Sequence, residues 1–221
     1  MGLAPLEVRV WGDFALFTRP EMKVERVSYS VMTPSAARGV LEAIFWKPEM
    51  RWIVEEIHVL RPINYFSILR NEITTRQSPG VAQGWARTGG GFDAPSDRTQ
   101  RHSLALRDVA YLILAQIGVR PGVGEDVAKY RDQFRRRVAR GQCHSMPYLG
   151  CREFSASFGP PLPNEAPATE VDGDLGRMLL DIDYVTDGSG RGQPRFFEAR
   201  AERGVMRVPS RFAAEGVTDA A

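Results

Sequence analysis

The sequence predicts an α+β protein, with a ferredoxin-like (RRM-like) βαββαβ domain over residues 1–158 and a small C-terminal antiparallel β-sheet over residues 159–221. Two observations support this fold. Four segments have the composition and alternation of strands, and two segments with helical apolar spacing lie between them in the order β-α-β-β-α-β. A Pro-rich linker from Gly159 to Pro167 then separates the C-terminal segments.

The first three elements have local sequence signals. Apolar and charged residues alternate over Leu6–Val10, which predicts a half-buried strand that ends at Trp11-Gly12-Asp13. Thr33-Pro34 supplies an N-cap hydroxyl and a proline at the first helical position, so a helix begins there and stops by Pro48. Trp52–Val59 is predicted to be the second strand.

The later elements follow a polar, Gly-rich stretch over residues 64–101, which predicts a long flexible insertion. Leu104–Ile117 is apolar on both faces and predicts a central strand. An apolar stripe within Glu125–Arg140 predicts the second helix, and Arg152–Phe158 the fourth strand. The C-terminal sheet is predicted as two strands, Gly176–Val185 and Pro194–Val208, joined at Gly188-Ser189-Gly190.

Composition and charge restrict the class of protein. The chain has 221 residues, a net charge of +2 and 43% hydrophobic residues, which predicts a folded protein. Nearly all of its positive charge is Arg, which grips phosphates through two parallel hydrogen bonds, although a genome rich in G and C is an alternative cause. No signal peptide or membrane-spanning segment is expected, and Cys143 and Cys151 lack the spacing of a zinc site. We therefore expect a cytoplasmic protein that binds no metal or other cofactor.

The second helix carries the strongest functional signal. Six cationic side chains lie within twelve positions, namely Lys129, Arg131, Arg135, Arg136, Arg137 and Arg140. Such a face binds phosphates and releases counterions, so it predicts salt-sensitive RNA binding; a solvated helix face is the alternative. The following loop, residues 141–150, offers glycines and the donor Gln142 for a close approach to phosphates, or is an ordinary connection.

Other candidate RNA contacts lie towards the N-terminus. Phe45 and Trp46, at the end of the first helix beside Lys47, are predicted to stack on unpaired bases, although core packing is the alternative for one of them. Further basic candidates are Arg19, Lys23, Arg26 and Arg38.

Cleavage of RNA without a metal needs a base for the 2′-hydroxyl, an acid for the leaving 5′-oxygen and a cation near the phosphorane. Lys129 is the candidate cation. Among the three histidines, His102 and His144 are expected in loops and are candidate proton carriers, whereas His58 is expected in a strand as a structural residue.

Ordered blocks of sequence resemble one known family, the CRISPR-associated Cas-five proteins of subtype I-C, also called the "d" variant. The blocks are Trp11-Gly12-Asp13-Phe14-Ala15-Leu16-Phe17, Thr33-Pro34-Ser35-Ala36-Ala37-Arg38-Gly39, Ala43-Ile44-Phe45-Trp46-Lys47-Pro48, Leu69-Arg70-Asn71-Glu72 and Gly150-Cys151-Arg152-Glu153-Phe154. The resemblance implies metal-independent cleavage of precursor CRISPR RNA at the repeat hairpin. It also implies that the protein keeps the 5′ handle of the mature crRNA beside the backbone and large subunits of the type I-C Cascade complex.

The same resemblance indicates candidate catalytic positions. A family tyrosine at the end of the first helix matches Phe45, and a family Lys-His pair matches Lys129-Tyr130. We expect Lys129 and Tyr130 to act with His144 or His102. The alternatives are a non-catalytic subunit that caps the 5′ handle, an RNA-binding protein of unrelated role, and a DNA-directed nuclease; weak binding of duplex DNA is compatible with the family.

Overall fold

The computed structural model describes residues 3–22, 24–119, 127–184, 190 and 192–209. Three helices lie in this part of the chain: α1 (Pro34–Ile44), α2 (Pro79–Thr88) and α3 (Val127–Arg140). Its strands are β1 (Leu6–Ala15), β2 (Arg26–Val27), β3 (Met50–Val59), β4 (Tyr65–Ile73), β5 (Arg98–Val119), β6 (Ser157–Gly159), β7 (Gly173–Tyr184), β8 (Gly192–Glu202) and β9 (Val205–Arg207).

One nine-stranded sheet joins all of these strands, in the order β6-β1-β5-β3-β9-β8-β7, with β2 and β4 paired to β5. Every pair is antiparallel except that of β2 with β5. The prediction of an α+β protein is confirmed. The predicted C-terminal strands form a hairpin that continues the main sheet through the pairing of β9 with β3. Lys23, Gly188 and Ser189 and the expected helix start at Glu125 lie outside the described residues.

Helix α1 begins where the sequence predicts. Thr33 is its N-cap, and its side-chain oxygen accepts a hydrogen bond of 3.2 Å from the backbone N–H of Ala36. The apolar residues of the helix face the core and pack on the same side of the sheet as α3. Ring centroids of Trp52 in β3 and Phe134 in α3 lie 4.7 Å apart.

Strand β1 runs past the predicted stop at Trp11-Gly12-Asp13. Its pairing with β5 continues to Ala15, opposite Leu106. Gly12 lies within the strand at a crowded position, because a Cβ atom there would come within 2.7 Å of the side chain of Leu149. Glycine therefore permits a close contact at this position rather than ending the strand.

Residues 64–101, expected to be a long flexible insertion, contain regular secondary structure. Strand β4 pairs along its length with the first half of β5, from Tyr65 opposite Leu106 to Ile73 opposite Arg98. Helix α2 connects the two strands, and Asp97 accepts hydrogen bonds from the backbone and hydroxyl of Thr75 at 2.7 and 2.8 Å. This part of the chain, residues 65–106, is therefore a two-stranded arm, and its polar composition reflects exposure rather than an absence of structure.

The predicted fourth strand is shorter in the structure than in the sequence interpretation. Strand β6 covers only Ser157–Gly159, whereas Cys151 and Phe154 belong to a turn in which the Phe154 N–H donates to the Cys151 carbonyl at 3.0 Å. No helix in the described ranges is long and apolar enough to cross a membrane.

Candidate functional site

The C-terminal end of helix α1 is the point where three other elements converge. Its last carbonyl groups lack partners within the helix. The Ile44 carbonyl accepts a hydrogen bond of 2.7 Å from Arg137 of α3, and the Ala43 carbonyl accepts one of 2.8 Å from the backbone N–H of His144. The Phe45 carbonyl accepts one of 2.8 Å from the indole of Trp52. These bonds hold α3, the loop after it and β3 against one helix end.

Phe45 and Trp46 are adjacent in sequence but differ in environment. Phe45 is 1% exposed, and its ring centroid lies 6.1 Å from that of Tyr130 and 5.4 Å from the guanidinium of Arg137. The prediction that Phe45 stacks on a base is therefore wrong, since its ring is part of the core. Trp46 is 51% exposed and, with the exposed Lys47, remains accessible to a ligand.

Tyr130 is packed beneath this helix end and is only 2% exposed. Its hydroxyl donates a hydrogen bond of 2.6 Å to Oε1 of Glu49. Glu49 belongs to the tight turn between α1 and β3, in which the Met50 N–H donates to the Lys47 carbonyl at 3.1 Å. The sequence interpretation did not include Glu49, because its partner lies 81 positions away and no local pattern connects them.

The electrostatic environment of Glu49 favours its ionised form. The hydrogen bond from Tyr130 lowers the pKa of Glu49 most, and the charges of Lys47 and Lys129 lower it further. A carboxylate, a phenol and two ammonium groups therefore act on one another at the end of α1.

Helix α3 presents a smaller basic face than its sequence predicts. The exposed cations are Lys129, Arg135, Arg136 and Arg140. Arg131 is 3% exposed and donates to the side-chain oxygen of Gln116 at 3.0 Å and to the Ala4 carbonyl. The interpretation that Arg131 belongs to the exposed face is wrong, because its guanidinium is used within the protein. Arg137 is half-buried against Phe45.

The loop after α3 begins at Gly141, whose φ of +62° lies in the left-handed region that ends helices. The backbone N–H of Gln142 donates to the Arg137 carbonyl at 2.9 Å, while the side chains of Gln142 and His144 are exposed. His144 lies in this loop as expected and is fixed by its bond to Ala43.

The other two histidines lie away from this helix end. His102 belongs to β5 rather than to a loop, because it pairs with Leu69 in the arm, and its Nδ1 lies 3.3 Å from the hydroxyl of Ser67. His58 in β3 contacts Glu56 at 2.8 Å, as expected of a structural residue.

The remaining basic candidates are not gathered at the same place. Arg19 lies over the ring of Tyr29 at 4.7 Å. Arg26 is 3.3 Å from Glu72 of the arm. Arg38 pairs with Asp181 of β7 at 2.6 Å and, together with Trp46, lines an open groove of about 340 Å³ between α1, β3 and β7. In the part of the chain that the structure describes, no three His, Cys, Asp or Glu residues are placed to hold a metal ion.

Comparison with known proteins gives a family over nearly the whole chain. Residues 5–209 match the family described as "CRISPR-associated protein (Cas_Cas5)". A protein of Thermus thermophilus named "CRISPR pre-crRNA endoribonuclease Cas5d" is 46% identical, over 94% of this chain and 93% of that protein. A protein of the same name from Mannheimia succiniciproducens is 42% identical, over 95% and 97%.

Solved structures share the fold. The crystal structure of a CRISPR-associated protein superposes with a TM-score of 0.65 at 24% identity, covering 94% of this chain and 95% of that one. A chain of a CRISPR RNA-guided surveillance complex gives a TM-score of 0.50 at 12% identity, covering 94% and 90%.

Proposed function

Because this chain belongs to the CRISPR-associated Cas5d family, we propose that it is an endoribonuclease that cuts precursor CRISPR RNA in the cytoplasm and then holds the 5′ handle of the product. Two relatives that are 42% and 46% identical to it over the aligned residues are named for this activity. The observation that carries the proposal is the placement of Lys129 on the exposed face of α3, beside the end of α1.

In this proposal the protein consists of a ferredoxin-like core, residues 1–158, and a C-terminal addition, residues 159–221. The strand order β6-β1-β5-β3, with antiparallel neighbours and with α1 and α3 on one side of the sheet, supports this assignment. The partners would be the backbone and large subunits of a type I-C Cascade complex, with duplex DNA as a weaker ligand.

The RNA stem would lie along the exposed cations of α3, with Trp46 and Lys47 next to the strand that is cut. Arginine binds phosphate through two parallel hydrogen bonds, and each neutralised phosphate releases counterions. Replacing Arg135, Arg136 and Arg140 together by Ala should therefore reduce the slope of log affinity against log salt by about 0.7–0.9 for each lost phosphate contact. An unchanged slope in a filter-binding titration would show that the RNA does not lie along α3.

Cleavage would be an in-line attack of a 2′-hydroxyl on the adjacent phosphorus, which leaves a 2′,3′-cyclic phosphate and a 5′-hydroxyl without a metal. Lys129 would offset the charge of the phosphorane. The direct experiment incubates the purified protein with repeat RNA in excess EDTA, with a control RNA that lacks the scissile 2′-hydroxyl. Cyclic-phosphate product from the first RNA and none from the control is the expected result.

A second candidate function is a non-catalytic cap on the 5′ handle. It is favoured by Phe45, which has no hydroxyl where the family resemblance implies a tyrosine, and by the burial of Tyr130 at the position of the family histidine. Tight binding of repeat RNA without any product in the EDTA experiment would identify the cap. Equal affinity for repeat hairpins and unrelated single strands in a competition assay would contradict both candidates.

A further inference from the structure

The turn between α1 and β3 holds a carboxylate for which the family resemblance gives no role. We propose that Glu49 is the general base of the cleavage reaction, the group that takes the proton from the attacking 2′-hydroxyl. This inference rests on the proposed endoribonuclease function, and it assigns the proton acceptor that the substitutions at the family catalytic positions leave open.

Glu49 lies in this turn four residues after Phe45, which is fixed by burial and by the hydrogen bond from the indole of Trp52 to its carbonyl. The hydroxyl of Tyr130 holds Oε1 of the carboxylate at 2.6 Å from beneath. A base fixed in this way needs little reorganisation when RNA binds, and its second oxygen, Oε2, can accept a proton.

Tyr130, the other candidate base at this helix end, is poorly placed for that role. Tyr130 is buried and its hydroxyl proton already points at Glu49, so it cannot reach RNA as a base without breaking that bond. An ordinary phenol also has a pKa of about 10, so little of it is ionised at neutral pH. Tyr130 therefore acts here as a positioning residue for Glu49.

The charges around Glu49 are consistent with its role as a base. A glutamate is ionised at neutral pH, as a proton acceptor must be. The hydrogen bond from Tyr130, followed by the nearby ammonium groups, lowers the pKa of Glu49 and so makes it a weaker base in the free protein. Binding of a phosphate next to Glu49 adds a like charge and raises its pKa towards the working pH. The two ammonium groups that lower the pKa in the free protein, Lys47 and Lys129, are also the groups that would draw the phosphate there.

The proposed step balances in protons and bonds. Glu49 takes the 2′-hydroxyl proton while the 2′-oxygen forms a bond to phosphorus, and the bond from phosphorus to the 5′-oxygen breaks. The ammonium group of Lys129 gives a proton to the departing 5′-oxygen. The products are the cyclic phosphate and the 5′-hydroxyl, and the proton on Glu49 returns to Lys129 through water.

The test is Glu49→Gln, which keeps an oxygen to accept the bond from Tyr130 but cannot take up a proton at neutral pH. Single-turnover cleavage of repeat RNA in EDTA should slow by about 100-fold or more. Affinity for the RNA without the scissile 2′-hydroxyl should change less than about twofold. Glu55→Gln, an exposed glutamate of β3, is the matched control and should cleave at the wild-type rate. Thermal unfolding verifies that each variant is folded.

The pH profile gives a second readout. The wild-type rate should rise with pH through an acidic limb, Glu49→Gln should lack that limb, and Tyr130→Phe should move it. If Glu49→Gln cuts at the wild-type rate, the inference is overturned and the endoribonuclease function stands. His144 would then be tested as the base with His144→Ala. Equal loss of cleavage and binding makes Glu49 an RNA contact instead. A wild-type protein that binds but never cuts overturns both the function and the base.

Discussion

Arg131 donates a hydrogen bond of 3.0 Å to the side-chain oxygen of Gln116, which ties helix α3 to strand β5. A second donor of the same guanidinium reaches the Ala4 carbonyl. One arginine of the basic helix α3 is therefore a structural residue, whereas Arg135, one turn further along, is exposed.

Replacing Arg131 should mainly reduce stability, whereas replacing Arg135 should mainly reduce RNA binding. Arg131→Ala removes a buried guanidinium together with its hydrogen bonds to Gln116 and Ala4, so we expect the free energy of unfolding to fall by about 1–3 kcal/mol. Arg135→Ala should change it by less than about 0.5 kcal/mol but should weaken RNA binding in low salt. Urea denaturation and an RNA titration measure the two effects. Equal stability of the two variants would contradict the inward position of Arg131.

Substitutions of Phe45 and Trp46, which are adjacent in sequence, should also have different effects on stability and on RNA binding. Phe45→Ala empties a core position and should cost about 3–5 kcal/mol of folding free energy. Trp46→Ala should leave stability nearly unchanged and should weaken binding of repeat RNA by about 1–3 kcal/mol, the value of one stacked base. Thermal unfolding and affinity measurements on both variants check this. Unaltered affinity in Trp46→Ala would show that no base stacks on the exposed indole.

Lys129 should matter more for cleavage than for binding. A cation aimed at charge that develops in the transition state contributes more there than in the ground state. We therefore expect Lys129→Ala to slow single-turnover cleavage by about 100-fold while RNA affinity falls only severalfold. Arg136→Ala is the control from the exposed face of the same helix and should lose affinity without a matching loss of rate. Equal losses of rate and affinity in Lys129→Ala would make Lys129 a phosphate anchor.

The ion pair of Arg9 with Glu165 should make stability depend on pH. Arg9 donates two hydrogen bonds, at 2.5 and 2.8 Å, which lower the pKa of Glu165. The folded-state pKa is below the unfolded value of about 4.3, so the pair stabilises the fold above that value and its contribution is lost as the pH falls through the folded pKa.

Urea denaturation between about pH 7 and pH 3 measures this contribution. The decline in unfolding free energy at acid pH should be shallower in Glu165→Gln than in the wild type. Glu170→Gln, at an exposed glutamate, is the control and should decline as the wild type does. A Glu165→Gln decline as steep as that of the wild type would contradict the role of the pair.

Local signals were sufficient for some elements and insufficient for others. Thr33 and Pro34 define the start of α1 because an N-cap and a first-turn proline act within a few residues. The arm was missed because β4 is stabilised by pairing with the first half of β5, and pairing between distant segments leaves no mark in composition.

In the candidate site, too, some positions had a local sequence signal and others did not. The position of Arg131 had a signal, because it lies four residues after Val127 and three before Phe134, on the apolar side of α3. Its charge directed the interpretation towards solvent. The contact of Glu49 with Tyr130 depends on how α1 and α3 pack, and helix packing sets which distant polar groups meet.

The position of β5 in the sheet has a consequence for biosynthesis. Leu6 of β1 pairs with Ala115 of β5, so β1 leaves the ribosome roughly a hundred residues before its main partner. At a synthesis rate of about 5–20 residues per second, β1 remains unpaired for several seconds. Occupancy of the nascent chain by a chaperone should therefore persist until β5 emerges, and truncation before Val109 should leave an aggregation-prone fragment.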